Sequence, residues 1–378
     1  MEPADSITVT DTGASIGEGE EHASLATARQ RSAEIEKRLA EDASQFRLLT
    51  GDRPTGALHL GHYFGSLENR VRLQNAGVTT FVVIADYQVI TDRDGVGPIR
   101  DRVLSLICDY LAVGLDPARS VIFVHSAVSA LHQLMLPFLA LVTDSELRRN
   151  PTVKSELADT DGRPMSGLML TYPVHQAADI LFCKANVVPV GKDQLPHLEQ
   201  ARVIARRFDD VYGRADPRRP VFPRPEALLS QAVNILGVDG RKMSKSRGNA
   251  IEIGMSADQT AKLIRRAVTD SDRLVTWDPE RRPGVANLVL LVALCTGRAP
   301  QDVADEIGNG GAAALKALAT EAINERLAPV RARRAELAAD PGYLLKVLTE
   351  GNAAATRVAE QTLGEVRAAM HMNYDLQR

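Results

Sequence analysis

The sequence predicts an α/β fold in which a mostly parallel sheet is followed by an α-helical C-terminal domain. From residue 46 to residue 208, short apolar runs alternate with longer amphipathic stretches, which is the pattern of parallel strands joined by helices. Beyond residue 250 the strand-like runs disappear and helical spacing continues to the C-terminus. With 378 residues, 44% of them hydrophobic, the chain is long enough for two domains with cores of their own.

The first predicted strand covers residues 46–50, which are mostly apolar and end at Gly51. A helix follows over residues 59–74, where the apolar side chains mostly recur at helical spacing. The further predicted strands are 79–85, 121–124 and 187–190. The further predicted helices of this half are 98–115, 131–142, 168–182 with an interruption at Pro173, and 193–208. The polar stretch 144–167 is expected to contain a loop tip at residues 159–162.

The two ends of the chain differ from this pattern. The first twenty residues are rich in Gly, Ser, Thr, Asp and Glu and are expected to be disordered. Residues 25–43 predict a marginal, solvent-exposed helix. Helices are also predicted over 256–268, 284–295, 299–307 and from 312 onward. The predicted domains are therefore a flexible N-terminal extension (1–45), a catalytic domain (46–232), and a C-terminal domain (233–378) that begins with a lysine-containing loop.

Composition excludes several classes of protein. A formal net charge of −3 and a pI near 6.3 exclude a uniformly basic nucleic-acid binder, so an RNA partner would need local basic patches. No apolar run approaches about 18 residues, and the acidic start lacks the apolar core of a secretory signal, so we expect neither a membrane span nor secretion. These features are typical of a cytoplasmic protein.

Cysteines and basic residues give weaker signals. Cys108, Cys183 and Cys295 lie far apart in apolar stretches without a CxxC pair, so buried thiols are expected and no metal site is predicted. Six basic residues of the C-terminal region form either a face toward RNA or an ordinary solvated helix surface. They are Lys262, Arg265, Arg266, Arg331, Arg333 and Arg334.

The turn between the first strand and its helix carries paired imidazoles, His59 and His62, on either side of Gly61. A helix N-terminus at the carboxyl end of a buried strand is a ready anion site, and glycine permits close approach of a phosphate or ribose. Two histidines three residues apart lie on one helix face, where both can donate hydrogen bonds to a phosphate that gains negative charge. A surface position for both histidines is the alternative, since short motifs recur by accident.

A second motif, residues 242–246 (KMSKS), lies between Gly240 and Gly248 and is expected to be a mobile, exposed loop. Ammonium groups on long stems suit the charge that develops on departing pyrophosphate, and a mobile loop can close for the reaction and open for release. A solvated basic turn is the alternative. Together, the two motifs predict a site that cleaves ATP between its α- and β-phosphates.

With both motifs in this order, the chain resembles the class I aminoacyl-tRNA synthetases. Within that class it is similar to tryptophanyl-tRNA synthetases from about residue 46 onward, because of residues 172–181 (YPVHQAADIL) and 188–194 (VPVGKDQ). The resemblance implies a Rossmann-like catalytic sheet, a helical anticodon-binding domain, a homodimer, and the substrates ATP, L-tryptophan and tRNA(Trp). Magnesium is expected to arrive on ATP, since no dedicated carboxylate cage is evident.

The resemblance also implies roles for individual residues. His59, His62, Lys242 and Lys245 correspond to the catalytic positions. The expected ATP-binding residues are Arg53, Pro54, Thr55, Gly61, His62, Gly191, Lys192, Asp193, Val233, Lys242, Met243, Ser244, Lys245 and Ser246. Arg53 stands where glutamine is frequent in the family, so its own role does not follow from the resemblance.

Amino-acid selection is expected to depend on Asp179. Gln176 lies about one helical turn before it and Tyr172 about two, on the same side of the predicted helix. A carboxylate among apolar residues is costly unless it is paired, so Asp179 needs a partner, unless it is an ordinary surface residue. The resemblance implies that Asp179 accepts the indole N–H of tryptophan, with Tyr172, Gln176, Gln194 and Gln88 also near the amino acid.

Two glutamines depart from the common bacterial pattern: Gln176 stands where methionine is often found, and Gln88 where histidine is frequent. Tyr172, Gln176 and Asp179 also reproduce an arrangement of tyrosyl enzymes, so tyrosine is the rival substrate. Pro173, the VPVGKDQ segment and the complete lysine motif favour tryptophan. A non-tRNA nucleotidylyltransferase of the same superfamily is a further alternative, but it would not need the Asp179 segment or a helical C-terminal domain.

Overall fold

The computed structural model describes residues 14–91, 97–158, 164–213, 220–229, 235–244 and 247–374. Five parallel strands form one sheet in the order β3-β2-β1-β4-β5. The strands are β1 (Arg47–Asp52), β2 (Thr79–Ile84), β3 (Ser120–Val124), β4 (Val187–Val190) and β5 (Glu226–Leu229). The predicted α/β fold class is confirmed.

Fifteen helices surround the sheet in the described residues. They are α1 (Ala14–Glu41), α2 (Leu60–His62), α3 (Glu68–Ala76), α4 (Ile99–Ala112), α5 (Ser129–Gln133), α6 (Met135–Leu139), α7 (Asp144–Arg149), α8 (Pro151–Ala158), α9 (Gly167–Phe182), α10 (Leu195–Tyr212), α11 (Ala257–Arg265), α12 (Pro283–Thr296), α13 (Pro300–Ile307), α14 (Gly311–Ala338) and α15 (Pro341–Ala369). A π-helical segment, Tyr63–Leu67, joins α2 to α3, so the predicted helix 59–74 is nearly continuous.

Parallel pairing explains why the strands were recognisable as apolar runs. Register pairs such as Leu49↔Phe81 and Val82↔Ile122 place apolar side chains side by side, and helices cover both faces of the sheet. The fifth strand was missed, because four residues next to a proline-rich stretch give almost no periodic signal. Its parallel pairing with β4 depends on main-chain hydrogen bonds that residue types do not specify.

Several helix predictions need correction. The predicted helix 131–142 is two short helices, α5 and α6. Pro173 does not interrupt α9, which is continuous on either side of it. The polar stretch after residue 143 forms α7, whose N-cap Thr143 and Glu146 make a reciprocal capping box, and then α8. The loop tip expected at 159–162 lies outside the described residues.

The sequence predicted a solvent-exposed helix in the N-terminal extension. The helix is present as α1, but one side of it is buried against the sheet. Residues 14–20, expected to be disordered, belong to it, whereas residues 1–13 lie outside the described part. Ile35 and Leu39 are buried against the apolar side chains of β1, β4 and β5. The hydroxyl of Ser32 accepts a hydrogen bond from the Leu229 backbone N–H at 3.0 Å. Because β5 is an edge strand, α1 covers an edge that would otherwise expose its N–H groups.

The last helix, α15, packs directly on the opposite edge of the sheet. The amide oxygen of Asn352 accepts a hydrogen bond from the Val124 backbone N–H of β3 at 3.0 Å. Gly351 lies so close to β3 that a Cβ on it would be 1.8 Å from the carbonyl oxygen of Ile122. Residues of α14 also share an apolar cluster with α4. The domain boundaries at residues 45 and 232 stay predictions.

We expect Gly351→Ala to lower the free energy of unfolding by about 1–3 kcal/mol, since the added methyl group has to move α15 away from β3. Thermal unfolding measures this loss. Gly364→Ala is the matched control on the same helix: a Cβ there meets nothing within 4 Å, and alanine favours a helix over glycine. Equal stability of the two variants would contradict the packing argument.

Of the six basic residues proposed as a face toward RNA, two turn inward. Arg334 donates to Asp109 at 2.6 Å, and Arg331 donates to the Thr260 hydroxyl at 2.8 Å. The other four are exposed. No single helix of the described residues is long and apolar enough to cross a membrane; α12 and the stretch 300–338 meet that test only as a pair bent by 113°.

Candidate active site

The histidine turn begins at the carboxyl end of β1, as predicted. His59 is the N-cap of α2, with an extended backbone, and its N–H donates to Nδ1 of His62 at 3.2 Å. The two rings lie 3.8 Å apart. Because Nδ1 of His62 accepts this bond, the proton of its neutral ring is on Nε2, which is therefore a donor for a ligand.

The backbone supplies fewer donors here than the sequence suggested. The N–H of Leu60 donates to the Ile251 carbonyl at 2.9 Å, and the N–H of His62 to the His59 carbonyl at 2.8 Å. These two N–H groups are therefore not available to an anion. Gly61 also leaves room for the neighbouring imidazole, because a Cβ on it would lie 3.0 Å from the His59 ring.

The described residues on either side of the lysine loop lie against this turn. Besides the Leu60–Ile251 bond, the Ile253 N–H donates to the Leu58 carbonyl at 3.0 Å, and His59 forms a bridge with Glu252. Met243 is buried, with its sulfur 4.0 Å from the position that a Cβ on Gly61 would take. Met243 therefore places the described start of the second motif beside the histidine turn, and the convergence of the lysine ammonium groups with the imidazoles stays a prediction.

The start of the lysine loop is held by a buried asparagine. Asn249 accepts from the Ser244 N–H at 2.8 Å and donates to Asp239 at 2.7 Å and to the Lys242 carbonyl at 3.2 Å. Lys242 itself is exposed. Three predicted ATP-binding residues, Val233, Lys245 and Ser246, lie outside the described residues.

A cavity of about 330 Å³ opens between the carboxyl ends of β1 and β4 and the helices α9 and α10. This is where parallel sheets usually bind ligands. It brings together six predicted residues: Arg53, Gln88, Tyr172, Gln176, Asp179 and Gln194. Among the described residues, its lining does not include the predicted Pro54, Thr55, His59, Gly61, His62, Gly191, Lys192, Asp193, Lys242, Met243 or Ser244.

Helix α9 presents Tyr172, Gln176 and Asp179 to this cavity, as their spacing predicts. The Tyr172 hydroxyl lies 3.4 Å from Nε2 of His197 on α10. Gln176 donates its amide to Gln194 at 3.3 Å. The cavity wall is thus mixed: polar and charged side chains stand beside apolar ones such as Ile180 and Val188, so it can bind a ligand that has both polar and apolar parts.

The Gly191–Gln194 segment links β4 to α10. Gly191 precedes a single 3₁₀ turn, Lys192–Gln194, and a Cβ on it would lie 2.6 Å from the Asp193 carboxylate. Gln194 donates its amide to Asp193 at 2.8 Å while it accepts from Gln176. This turn therefore connects the expected ATP segment to the α9 wall of the cavity.

Asp179 has the partner that its burial requires, and sequence analysis did not identify it. Nε2 of His125, in the 3₁₀ turn after β3, lies 2.9 Å from Oδ1 of Asp179. Burial alone would raise the pKa of Asp179, but the nearby charge of His125 outweighs it and lowers that pKa. Burial would likewise lower the pKa of His125, yet Asp179 raises it. The two groups form a buried ion pair.

Two more histidines continue from this pair. Nδ1 of His132 lies 2.9 Å from Nε2 of His175, and Nδ1 of His175 lies 2.8 Å from the Gln88 amide nitrogen. Burial lowers the pKa of both histidines. Ligand atoms of His125, His175 and Asp179 lie within 4.8 Å of one another. Since both nitrogens of His175 are already hydrogen-bonded, the cluster suits a hydrogen-bond network better than a metal ion.

A second buried charge pair stands at the end of β1, next to Arg53. Arg70 of α3 donates to Asp52 at 2.6 Å, and the Tyr110 hydroxyl of α4 donates to the same carboxylate at 2.6 Å. Burial would raise the pKa of Asp52, but Arg70 and then Tyr110 lower it to about 2. These three residues connect two helices to the end of β1, where the histidine turn begins. In the sequence, the one sign of this pairing is a charged residue beside an apolar segment.

A parallel sheet whose first turn carries paired histidines, together with a KMSKS motif whose Met243 lies beside that turn, defines a class I aminoacyl-tRNA synthetase. A sequence model of the family described as tRNA synthetases class I (W and Y) matches residues 41–328. The chain therefore belongs to that family.

Several similar proteins are named as tryptophan enzymes. The chain is 40% identical to the tryptophan–tRNA ligase of Clostridium longisporum over 86% of its length and 97% of the relative. It is 41% identical to that of Streptococcus pyogenes, over 86% and 98%. The tryptophanyl-tRNA synthetase of Campylobacter jejuni, solved with ADP and tryptophan, aligns with a TM-score of 0.74 and 30% identity, over 86% and 99%. A tyrosyl-tRNA synthetase of Archaeoglobus fulgidus, at 21% identity, shares the fold.

Proposed function

We propose that this protein activates L-tryptophan with ATP, forming tryptophanyl-adenylate and pyrophosphate, and transfers the tryptophanyl group to the 3′ end of tRNA(Trp). The observation that carries the proposal is Asp179, a buried carboxylate held by His125 at the wall of the cavity. It offers an acceptor for an indole N–H beside the apolar side chains of Ile180 and Val188. The relatives at 40% and 41% identity are tryptophan–tRNA ligases, which favours tryptophan over tyrosine.

The proposed chemistry is in-line attack of the tryptophan carboxylate on the α-phosphorus of ATP. The cavity residues Tyr172, Gln176, Gln194 and Gln88 would position the amino acid together with Asp179. His62 would donate from Nε2 to the phosphate that gains charge, with His59 beside it. Positioning and charge stabilisation supply the acceleration, with no covalent intermediate on the protein.

ATP would lie between the histidine turn, the lysine loop and the Gly191–Asp193 segment. Arg53, Pro54, Thr55 and Gly61 would surround phosphates and ribose, Lys192 the ribose and adenine, and Val233 the adenine. Of the cavity carboxylates, Asp52 is bound by Arg70 and Asp179 by His125, so neither is available to a cation. This supports Mg²⁺ arriving as the ATP complex.

We also propose a homodimer, as the resemblance implies, and a helical C-terminal domain that contacts tRNA. Lys262, Arg265, Arg266 and Arg333 are the exposed cations that support an RNA contact in this part. Because charged tRNA is used where translation occurs, the proposed compartment is the cytoplasm. These four exposed residues, and not the inward Arg331 and Arg334, are the ones to test.

The decisive experiment is amino-acid-dependent exchange of labelled pyrophosphate into ATP, measured side by side with tryptophan and with tyrosine. Exchange with tryptophan and none with tyrosine supports the proposal. Exchange with tyrosine alone would make the protein a tyrosyl enzyme. Exchange with neither would favour a nucleotidylyltransferase acting on another acid.

We expect Lys245→Ala to lower the rate of adenylate formation at least about 100-fold while tryptophan affinity changes little, because its ammonium group is needed mainly as pyrophosphate departs. Single-turnover pyrophosphate release and equilibrium tryptophan binding measure the two quantities. Lys346→Ala, which removes an exposed lysine of α15, is the control and should keep the wild-type rate. Wild-type exchange in Lys245→Ala would contradict the assignment.

A further inference from the structure

In the hydrogen-bond network of His132, His175 and Gln88 behind the cavity, one backbone carbonyl determines which nitrogen donates in each bond. Nε2 of His132 lies 2.7 Å from the carbonyl oxygen of His125, and a carbonyl only accepts, so this nitrogen carries the proton. Nδ1 of a neutral His132 is then an acceptor, and Nε2 of His175 must donate to it. Nδ1 of His175 in turn accepts from the amide N–H of Gln88.

This order keeps two of the three histidines neutral. A second proton on His132 or His175 would place two hydrogens against each other at a bond that now has one donor and one acceptor. His125 is therefore the histidine of the cluster that can carry positive charge, and its Nε2 faces Asp179. Among the described residues, Asp86 is a further charged group near His125: it accepts from the Ser126 N–H at 3.1 Å, and its negative charge favours the protonated form of His125.

We propose that His125 is a positioning residue for amino-acid selection: it holds Asp179 as an ionised acceptor, which can receive a hydrogen bond and cannot donate one. His132 and His175 keep the proton on His125 by remaining neutral. A neutral carboxylic acid at position 179 could instead donate to an oxygen or sulfur atom that replaces the indole nitrogen. His125 thus excludes ring isosteres without an N–H. This inference rests on the proposed tryptophan-activating function and deepens it.

The test compares tryptophan with benzothienylalanine, in which sulfur replaces the indole N–H at nearly constant shape. Pyrophosphate exchange gives kcat/KM for both in the wild type and in His125→Asn. We expect the preference for tryptophan to fall roughly tenfold, the difference between a hydrogen bond to a charged and to a neutral acceptor. The KM for ATP should stay the same, because His125 acts only through Asp179.

A double-mutant cycle separates this role from simple packing. If His125 acts through the charge of Asp179, adding His125→Asn to Asp179→Asn should change the preference little further. His371→Asn, an exposed histidine at the end of α15, is the matched control and should keep the wild-type preference. If His125→Asn alone does not fold because it leaves Asp179 unpaired, the double variant should fold, since it lacks that charge. The difference in stability between the double variant and Asp179→Asn then measures how strongly the two residues are coupled.

The outcomes are distinguishable. A parallel loss for both amino acids, with the tryptophan preference unchanged, would overturn the inference and make His125 a packing residue. Additive losses in the cycle, in exchange or in stability, would also overturn it. Failure of the wild-type protein to exchange with tryptophan would instead reject the proposed function, on which the inference rests.

Discussion

Asp179→Asn is expected to lower kcat/KM for tryptophan about 10–200-fold, with the loss mainly in the KM for tryptophan. A hydrogen bond to a charged group contributes about 1.5–3 kcal/mol, and each 1.4 kcal/mol corresponds to a factor of ten. The substitution nearly preserves the volume of the side chain, so the cavity keeps its shape while the charged acceptor is lost. Pyrophosphate exchange at varied tryptophan and varied ATP measures the effect on each substrate.

Asp144→Asn is the control for this experiment. Asp144 is exposed on α7, and its ion-pair partner among the described residues is Arg148 one turn away, so its loss should leave exchange within a factor of two. An unchanged KM for tryptophan in Asp179→Asn would show that the indole N–H has another acceptor. A raised KM for ATP with normal tryptophan binding would place Asp179 near the nucleotide instead.

Arg70→Met is expected to lower the free energy of unfolding by about 3–5 kcal/mol at neutral pH, because it leaves the Asp52 carboxylate buried with Tyr110 as its remaining donor. Arg70 is 3% exposed, so solvent cannot replace the guanidinium. Urea unfolding measures the loss. Arg72→Met is the matched control on the same helix: Arg72 is exposed and pairs with exposed Glu36, so we expect a loss below about 1 kcal/mol.

The pH dependence of this loss has a definite sign. The pKa of Asp52 is lowered from 3.8 to about 2 in the folded protein, so its ionisation stabilises the fold above pH 4. That contribution, about 2 kcal/mol, disappears as the pH falls from 4 to 2. The difference between wild type and Arg70→Met should therefore shrink over this range. A difference that is constant from pH 7 to pH 3 would mean that Arg70 stabilises by packing and not by its charge.

The elements that could be predicted were those whose signal is local. The run at residues 79–85 and the apolar spacing of residues 98–115 each correspond to one element, because side-chain periodicity follows directly from backbone geometry. Helix α1 shows the limit of this reasoning. Its sequence is mostly polar, and nothing in it reveals that Ile35 and Leu39 meet β5, which lies nearly two hundred residues later.

The same limit applies to the site. The spacing of Tyr172, Gln176 and Asp179 correctly placed three side chains on one wall, since they share a helix face. The rule that a buried carboxylate needs a partner correctly predicted that Asp179 is paired, but it could not choose among the eight histidines of the chain. His125 is the partner because β3 ends beside α9, which is a property of strand order.

The sequence by itself determined how the first four strands alternate with helices, the two motifs proposed to bind ATP and the helix face proposed to select the amino acid. Each of these depends on neighbours along the chain, within one or two turns of backbone. Only the tertiary structure decided which charges are paired, His125 with Asp179 and Arg70 with Asp52, and that α1 and α15 cover the two edges of the sheet. These contacts join distant segments, and their free energies depend on burial and distance, which residue order alone does not specify.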